Sequence, residues 1–288
     1  MRAFLTLTII ACLLACSKSE LPDRQPQLVV EGYIDDGGAP VVMLTTTLPV
    51  TTEELSPDSI STHLLRWARV TVSDGEEEVV LTGMADKRYL PSFVYTSNRM
   101  EGQAGKSYRL TVDYEDYHAT AVTTIPQPPA VDSFKVEPVI KDSLFRITVC
   151  FTDNPHERNY YKLFMRRGRR GRQWLSCYLG VVSDEVLDGY SELAVNRGEL
   201  VTDTADYTPY FFRTDSVTIK FAQIDEPAYR FWNDFENYAS FARNPMLPLT
   251  KSPHCNIQGG LGFWYGCGAC IQSFALADYS SENKKTYQ

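Results

Sequence analysis

Short stretches of alternating apolar and polar residues recur along most of the chain and predict β-strands. The alternation is clear at residues 28–34, 69–73 and 107–112. A period of two places one face of each strand in a core. Further β-branched or alternating runs lie at residues 41–48, 78–81 and 120–125. Strands at this short spacing, separated by turn residues, predict an antiparallel sandwich over residues 27–128.

The second half of the chain is also rich in predicted strands. The stretch Pro126–Pro129 marks the predicted boundary, and a larger β-rich domain follows over residues 129–288. The predicted strands of this half are residues 134–139, 144–151, 160–165, 174–179 and 216–223.

One amphipathic helix is predicted near residues 226–242. Asp225 can cap it, and Pro227 suits its first turn. Its apolar positions recur at helical spacing and are mostly aromatic: Ala228, Phe231, Trp232, Phe235, Tyr238 and Ala239. We interpret this aromatic stripe as core packing, because such a face on a helix most often covers a sheet.

The first sixteen residues have the layout of an export signal. Arg2 precedes an apolar run over residues 3–14 that is too short to span a membrane. The run ends in Leu13–Cys16, which resembles a bacterial lipobox. We therefore predict a signal peptide over residues 1–16 and lipidation of Cys16. A plain secretory signal, with no lipid, is the alternative.

The predicted mature chain is a body held to a membrane by its lipidated N-terminus. Residues 17–26 contain two prolines and form the predicted tether. No second apolar stretch approaches the ~20 residues that a membrane span requires. Whether the body faces the periplasm or the cell surface stays open.

Five short motifs follow one another behind the lipobox. They are residues 28–34 (LVVEGYI), 105–112 (GKSYRLTV), Ile125–Pro126, Asn244–Pro245 and 256–263 (NIQGGLGF). This ordered combination resembles a family of Bacteroidota lipoproteins that is catalogued as a domain of unknown function. Members of that family are often encoded beside TonB-dependent outer-membrane receptors.

The resemblance implies both a fold and a role. The fold is an Ig-like or transthyretin-like sandwich followed by a larger β domain. The role is that of a non-enzymatic accessory or binding lipoprotein of the outer membrane, associated with a TonB-dependent receptor in nutrient uptake. A structural or adhesive cell-surface module without a transport partner is the alternative. The resemblance brings no catalytic residue and no ligand identity.

Composition and charge exclude some partners. With 43% hydrophobic residues the chain can form a sizeable core. A formal net charge of −8 argues against a nucleic-acid partner, because phosphate binding needs a basic field.

One local sequence is strongly basic despite the overall acidity. Five arginines lie between two predicted strands and are expected to point outward from a hairpin tip: Arg166, Arg167, Arg169, Arg170 and Arg172. Guanidinium groups suit carboxylates and phosphates, so the tip is a candidate contact for an anion or an acidic partner. A solvated turn that keeps the hairpin soluble is the alternative.

Three cysteines near the C-terminus form the second candidate site. Cys255, Cys267 and Cys270 would lie in an exported chain, where disulfides can form. We favour a disulfide between Cys255 and one of the other two. Unpaired cysteines, or a metal or redox site that includes His254, are the alternatives.

No catalytic motif occurs in the sequence. The four histidines lie outside any nucleophile elbow, metalloprotease helix or P-loop: His63, His118, His156 and His254. We therefore predict that the protein is not an enzyme and that it binds no cofactor. The three-cysteine region is the only one to be tested for chemistry.

Overall fold

The computed structural model describes most of the chain downstream of the predicted tether. The described ranges are residues 25–47, 61–140, 143–168, 173–187, 189–198, 207–241, 252–279 and 285–287. The predicted signal peptide, Cys16 and residues 17–24 of the tether lie outside them.

The described residues form seventeen strands and one α-helix. The strands are β1 (Leu28–Asp35), β2 (Val41–Thr46), β3 (Arg69–Ser73), β4 (Glu78–Val80), β5 (Thr82–Ala85), β6 (Phe93–Thr96), β7 (Ser107–Tyr114), β8 (Tyr117–Thr124), β9 (Val131–Ile140), β10 (Leu144–Thr152), β11 (Tyr160–Arg167), β12 (Leu175–Ser183), β13 (Tyr190–Val195), β14 (Phe211–Phe212), β15 (Ser216–Ile224), β16 (Leu261–Ala275) and β17 (Lys285–Tyr287). The helix, α1, is Glu226–Phe241. The mostly β fold with a single helix is thereby confirmed.

The strands form three sheets. The largest has eight strands in the order β12-β11-β15-β16-β1-β2-β6-β5. A four-stranded sheet has the order β4-β3-β7-β8. A further sheet has the order β13-β10-β9-β17, and β14 also pairs with β10. The smaller sheets pack on one face of the large sheet, at opposite ends of it, so the molecule is two sandwiches that share a sheet.

The long strand β16 joins the two sandwiches. Its first half pairs in parallel with β1, where Val29 lies opposite Leu261 and Asp35 lies opposite Cys267. Its second half pairs antiparallel with β15. Strands from both sides of residue 128 therefore lie in one continuous sheet. The division into domains at residues 27–128 and 129–288 stays a prediction. The large sheet contains strands from both of these ranges.

The first core contains residues from both halves of the chain. It lies between the β1-β2-β6 part of the large sheet and the four-stranded sheet. Trp264 of β16 is fully buried in it, and its Nε1 donates to the carbonyl of Tyr108 at 3.1 Å. A Cβ on Gly32 would lie 2.8 Å from the Trp264 ring. The glycine in the LVVEGYI motif therefore makes room for a tryptophan about 230 residues later in the chain.

The second core lies between the β9-β10 sheet and the β11-β15-β16 part of the large sheet. Aromatic side chains dominate its centre. The Phe151 ring centroid lies 4.9 Å from that of Tyr161 and 4.8 Å from that of Phe221. This face of the large sheet is therefore covered, and the opposite face needs its own cover.

The helix α1 supplies that cover. Asp225 caps it by accepting from the backbone N–H of Ala228 at 2.9 Å, as predicted. Phe231 stacks on Phe263 with ring centroids 4.7 Å apart, and Trp232 meets Phe164 edge-on at 5.3 Å. The interpretation of the aromatic stripe as core packing is confirmed for Ala228, Phe231 and Trp232, whereas Phe235 is 39% exposed.

Candidate functional site

A cleft lies between two hairpins of the large sheet. The turn between β5 and β6 forms one wall, and the hairpin of β11 and β12 forms the other. The cleft has two adjoining chambers, of about 740 Å³ and 320 Å³, that share Arg88 and Tyr89. Both volumes lie in the range of cavities that hold small ligands.

The turn is held in place by an acidic residue at its start. Asp86 is almost buried and accepts from the Arg88 side chain at both carboxylate oxygens, with Nε at 2.9 and 2.8 Å and Nη2 at 2.5 Å. It also accepts from the backbone N–H of Arg88 at 2.9 Å. The hydrogen bonds from Arg88 lower the pKa of Asp86. The guanidinium keeps further N–H groups for a ligand, since it has five.

Two hydrogen bonds tie the turn to the opposite hairpin. The backbone N–H of Gln173 donates to the carbonyl of Arg88 at 2.9 Å. The backbone N–H of Leu90 donates to Oε1 of Gln173 at 3.0 Å. The walls of the cleft are therefore fixed relative to one another, although they come from different halves of the sequence.

The larger chamber, which we call the cationic chamber, is lined by Lys87, Arg88 and Arg167 together with Asp215. Arg167 donates through Nη2 to Oδ1 of Asp215 at 2.7 Å. Asp215 is buried and also accepts from the backbone N–H of Phe212 at 2.9 Å. Backbone-anchored carboxylates thus position both arginines before any ligand arrives.

The smaller chamber, which we call the tyrosine chamber, has a lining that is polar and apolar in similar measure, and its two carboxylates, Asp35 and Asp86, are each paired with a cation. Tyr33 and Tyr89 line it with their hydroxyls 3.5 Å apart. Its remaining apolar lining includes Val41, Met84 and Val94. Burial raises the pKa of Tyr33 well above its ordinary value, so this hydroxyl stays protonated at neutral pH.

A buried ion pair closes the floor of the tyrosine chamber. Lys220 is 1% exposed and donates through Nζ to Oδ1 of Asp35 at 2.6 Å. The ammonium lies 5.1 to 5.4 Å from the ring centroids of Tyr33, Phe164 and Trp174. Burial alone would lower the pKa of Lys220, but the charge of Asp35 and the hydrogen bond to it raise the value overall. Lys220 is therefore a fixed positive charge behind the chamber wall.

The predicted tether enters at the far end of β1 from this cleft. Tyr117 donates through its hydroxyl to the carbonyl of Pro26 at 2.7 Å, directly before β1. β1 runs from Leu28 at that end to Asp35 at the cleft, and its eight residues span about 25 Å at ~3.3 Å each. The cleft and the N-terminal attachment thus lie at opposite ends of the first sandwich.

Comparison with protein families gives a match along most of the chain. The model of the family described as Domain of unknown function (DUF4249) matches residues 17–269. The chain belongs to the DUF4249 family. A comparison with curated proteins finds no match. The DUF4249 match covers the first sandwich, the cleft and most of the second sandwich, and it ends before the last residues of β16 and before β17.

The DUF4249 chain uses its NIQGGLGF motif for structure. Asn256 donates through Nδ2 to the carbonyl of Trp264 at 2.7 Å and accepts from its N–H at 3.0 Å. A Cβ on Gly259 would lie 2.1 Å from the carbonyl oxygen of His118. The motif therefore fixes the start of β16 against β8.

The prediction for the arginine-rich tip is corrected in part. Arg166 and Arg167 do not point outward: the Arg166 guanidinium lies 4.3 Å over the Trp174 ring, and Arg167 is paired with Asp215. Each of these two side chains has a partner within the fold, and it would lose that partner if it pointed into solvent. Arg167 still lines the cationic chamber, as an anion contact would. Arg169, Arg170 and Arg172 lie outside the described residues.

The structure does not contain the favoured disulfide at Cys255, Cys267 and Cys270, and shows instead the unpaired cysteines of the alternative. All three thiols are free. Cys267 and Cys270 are three residues apart in β16, so their side chains point to opposite faces: Cys267 packs beneath α1 and Cys270 on the second core, while Cys255 packs on the first. Within the described ranges, no three metal-ligating side chains cluster.

The histidines of the DUF4249 chain are dispersed. His63 contacts Thr46, His118 contacts Asp113, and the backbone of His254 donates to Asp234. Neither chamber of the cleft has a histidine or cysteine among its described lining residues. The cleft therefore has charged and apolar contacts for a ligand, and its lining offers no thiol or imidazole as nucleophile or base.

Sequence reasoning missed most of the cleft. Asp86, Arg88 and Tyr89 lie in a turn, and Lys220 interrupts an apolar strand. A lysine inside an apolar run is a usable signal of a buried ion pair, because an unpaired charge there would be costly. The turn carries no comparable signal. Its role depends on Gln173, which lies over eighty residues away in the sequence.

Proposed function

We propose that this DUF4249 protein is a non-enzymatic accessory lipoprotein of the outer membrane, anchored through Cys16, that serves a TonB-dependent receptor by binding its cargo, the receptor itself, or both. The observation that carries the proposal is the cleft, whose two arginines are positioned by Asp86 and Asp215. Preorganised guanidinium groups suit recognition of acidic groups.

The proposed membrane anchor is supported by the sequence before β1. The lipobox ends at Cys16, and the DUF4249 match starts at the next residue. In the part of the chain that the structure describes, no helix is both long and apolar enough to cross a bilayer. A lipid at Cys16 would leave only a short tether before Pro26. The cleft, at the other end of β1, would then open away from the anchored membrane.

The proposed binding function is supported by the chemistry of the cleft. Its charged groups occur as pairs in which the carboxylate is buried and the arginine reaches the chamber. Such pairs hold a cation in place without neutralising all of its N–H donors. This arrangement supports binding of an acidic group better than it supports bond cleavage.

Affinity purification of the full-length protein from its own membranes tests the proposal. A C-terminal tag and mild detergent should recover a TonB-dependent receptor with the wild-type chain. The Cys16→Ser variant, which cannot be lipidated, should recover much less. A wild-type preparation that contains no such receptor would contradict the proposed association.

Deletion of the gene separates this role from that of a structural or adhesive surface module. An accessory role in uptake predicts slow growth on the nutrient that the partner receptor imports. Normal growth on every nutrient, together with altered attachment of the cells, would support the adhesive alternative instead.

A further inference from the structure

The two chambers of the cleft differ in chemistry and meet at Arg88 and Tyr89. The cationic chamber has three basic side chains at its lining: Lys87, Arg88 and Arg167. The tyrosine chamber has the rings of Tyr33 and Tyr89 and several aliphatic side chains, and its two carboxylates are already paired with Lys220 and Arg88. A ligand that occupies both chambers would place one charged end and one apolar end on either side of the Arg88–Tyr89 pair.

The electrostatic balance of the cleft is positive in a protein whose net charge is −8. Behind its walls, Lys220 and Arg166 add two cations to the three of the lining. The described carboxylates that face these cations are Asp35, Asp86 and Asp215. Positive charge therefore exceeds negative charge at the cleft, and an anion is favoured there over a cation.

Part of the lining of the tyrosine chamber is apolar and can pack on an apolar body. Val41 and Val94 are buried and pack with Tyr33 and Tyr89. Met84 is 43% exposed at the end of the chamber, and methionine adapts its shape to different apolar partners. The ion pair of Lys220 and Asp35 satisfies the polar groups of the floor, so an apolar body there leaves no charge unpaired.

We propose that the cleft binds an organic anion whose carboxylate or phosphate head lies in the cationic chamber and whose aromatic or aliphatic body lies in the tyrosine chamber. This inference rests on the proposed binding function and names the chemical class of its ligand. The head meets Arg88, Arg167 and Lys87, and the body packs on Tyr33, Tyr89 and Met84.

Binding of small probes to the purified full-length protein tests the inference. The probes are 4-phenylbutanoate, phenylpropyl phosphate, the uncharged 4-phenylbutanamide and inorganic phosphate, each followed by NMR. The two amphipathic anions should bind at least tenfold more tightly than the amide. Whichever anion binds more tightly identifies the head group. Equal affinity for acid and amide, or saturation by inorganic phosphate as tight as that by the phenyl-bearing anions, would overturn the inference.

Variants of exposed basic residues locate the head group. Lys87→Gln removes one exposed cation and should weaken the anions about two- to fivefold, as loss of a surface ion pair does. Arg88→Lys keeps the charge but loses the planar fork, and should weaken them further. The matched control is Arg69→Gln, an exposed arginine at the far end of the first sandwich, and it should change nothing.

Two outcomes decide between failure of the inference and failure of the proposed function. If Lys87→Gln and Arg69→Gln bind the anions as the wild type does, the cleft is not the anion site, whatever receptor is recovered. If the anions bind as expected and no receptor is recovered from membranes, the ligand class stands and the receptor association fails.

Discussion

At the scale of single residues, two lysines that interrupt apolar strands carry buried ion pairs. Lys220 of β15 reaches Asp35, and Lys162 of β11 donates to Oε1 of Glu236 on α1 at 2.5 Å. Burial lowers the pKa of Lys162. The sequence shows both lysines as anomalies in their strands. It cannot show their partners, because Asp35 and Glu236 lie far away along the chain and only the sheet brings them close.

The Lys162–Glu236 pair can be tested by stability measurements. Lys162→Met leaves Glu236 buried without its cation and should lower the free energy of unfolding by about 3–5 kcal/mol. The double variant Lys162→Met/Glu236→Gln should recover part of this loss, since the glutamine oxygen can still accept from the N–H of Gly180, now at 3.1 Å from Glu236. Urea denaturation measures both. A single variant within 1 kcal/mol of wild type would contradict the buried pair.

The cysteines give a second test at this scale. Burial raises the pKa of Cys177 and of Cys267 to about 12, so both thiols should be inert at pH 8. The mature chain, unfolded without reductant, should take up five alkyl groups beyond any lipid at Cys16. Mass spectrometry counts them. Uptake of only three groups would show that the mature chain contains one disulfide, contrary to the free thiols of the structure.

At the scale of elements, β16 is the longest of the strands that the sequence pattern did not predict. Its segment Gly262–Gly268 has three glycines, which are depleted in strands. The fold needs them: a Cβ on Gly268 would lie 2.1 Å from the carbonyl oxygen of Pro126, and one on Gly266 would lie 2.9 Å from Ile125. The glycines let the segment after β8 cross directly over β16. Regularly alternating strands such as β7 were predictable because their burial depends on their own sequence.

The crossing can be tested with a matched pair of glycine variants. Gly268→Ala forces a backbone atom away and should lower the melting temperature by several degrees. Gly83→Ala, on the edge strand β5, is the control, because the atoms nearest its Cβ would be side-chain atoms of the Phe93 and Tyr95 rings rather than backbone atoms. Thermal unfolding compares them. Equal, small effects of the two variants would contradict the close packing at Gly268.

The turn between β3 and β4 gives a pH-dependent prediction. Asp74 accepts from the backbone N–H groups of Glu77 and Glu76 and from Lys106, which lowers its pKa to about 2. Because this pKa is lower in the folded state than the ordinary value of 3.8, the carboxylate stabilises the fold fully at pH values above 3.8. The stabilisation is lost as the pH falls towards the folded-state pKa of about 2. Asp74→Asn should make the free energy of unfolding depend less steeply on pH in this acid range. An unchanged slope in acid denaturation would contradict the assignment.

At the scale of the whole molecule, the sequence predicts the class of fold better than its connections. The β content, the single helix and its cap were all readable from local periodicity. The shared sheet was not, because it depends on the parallel pairing of β1 with β16, which are over two hundred residues apart. The cleft could not be predicted from the sequence for the same reason. Its walls belong to different halves of the chain and meet only because both halves extend one sheet.

The end of the molecule with the cleft is its proposed functional end. A photoreactive phenylalanine analogue in place of Leu90, which is exposed at the rim of the cationic chamber, tests this in living cells. The same analogue in place of Arg69, at the end near the tether, is the control. We predict cross-links to a TonB-dependent receptor from position 90 and few from position 69. Cross-links to the receptor from position 69 alone, or from neither position, would contradict the account.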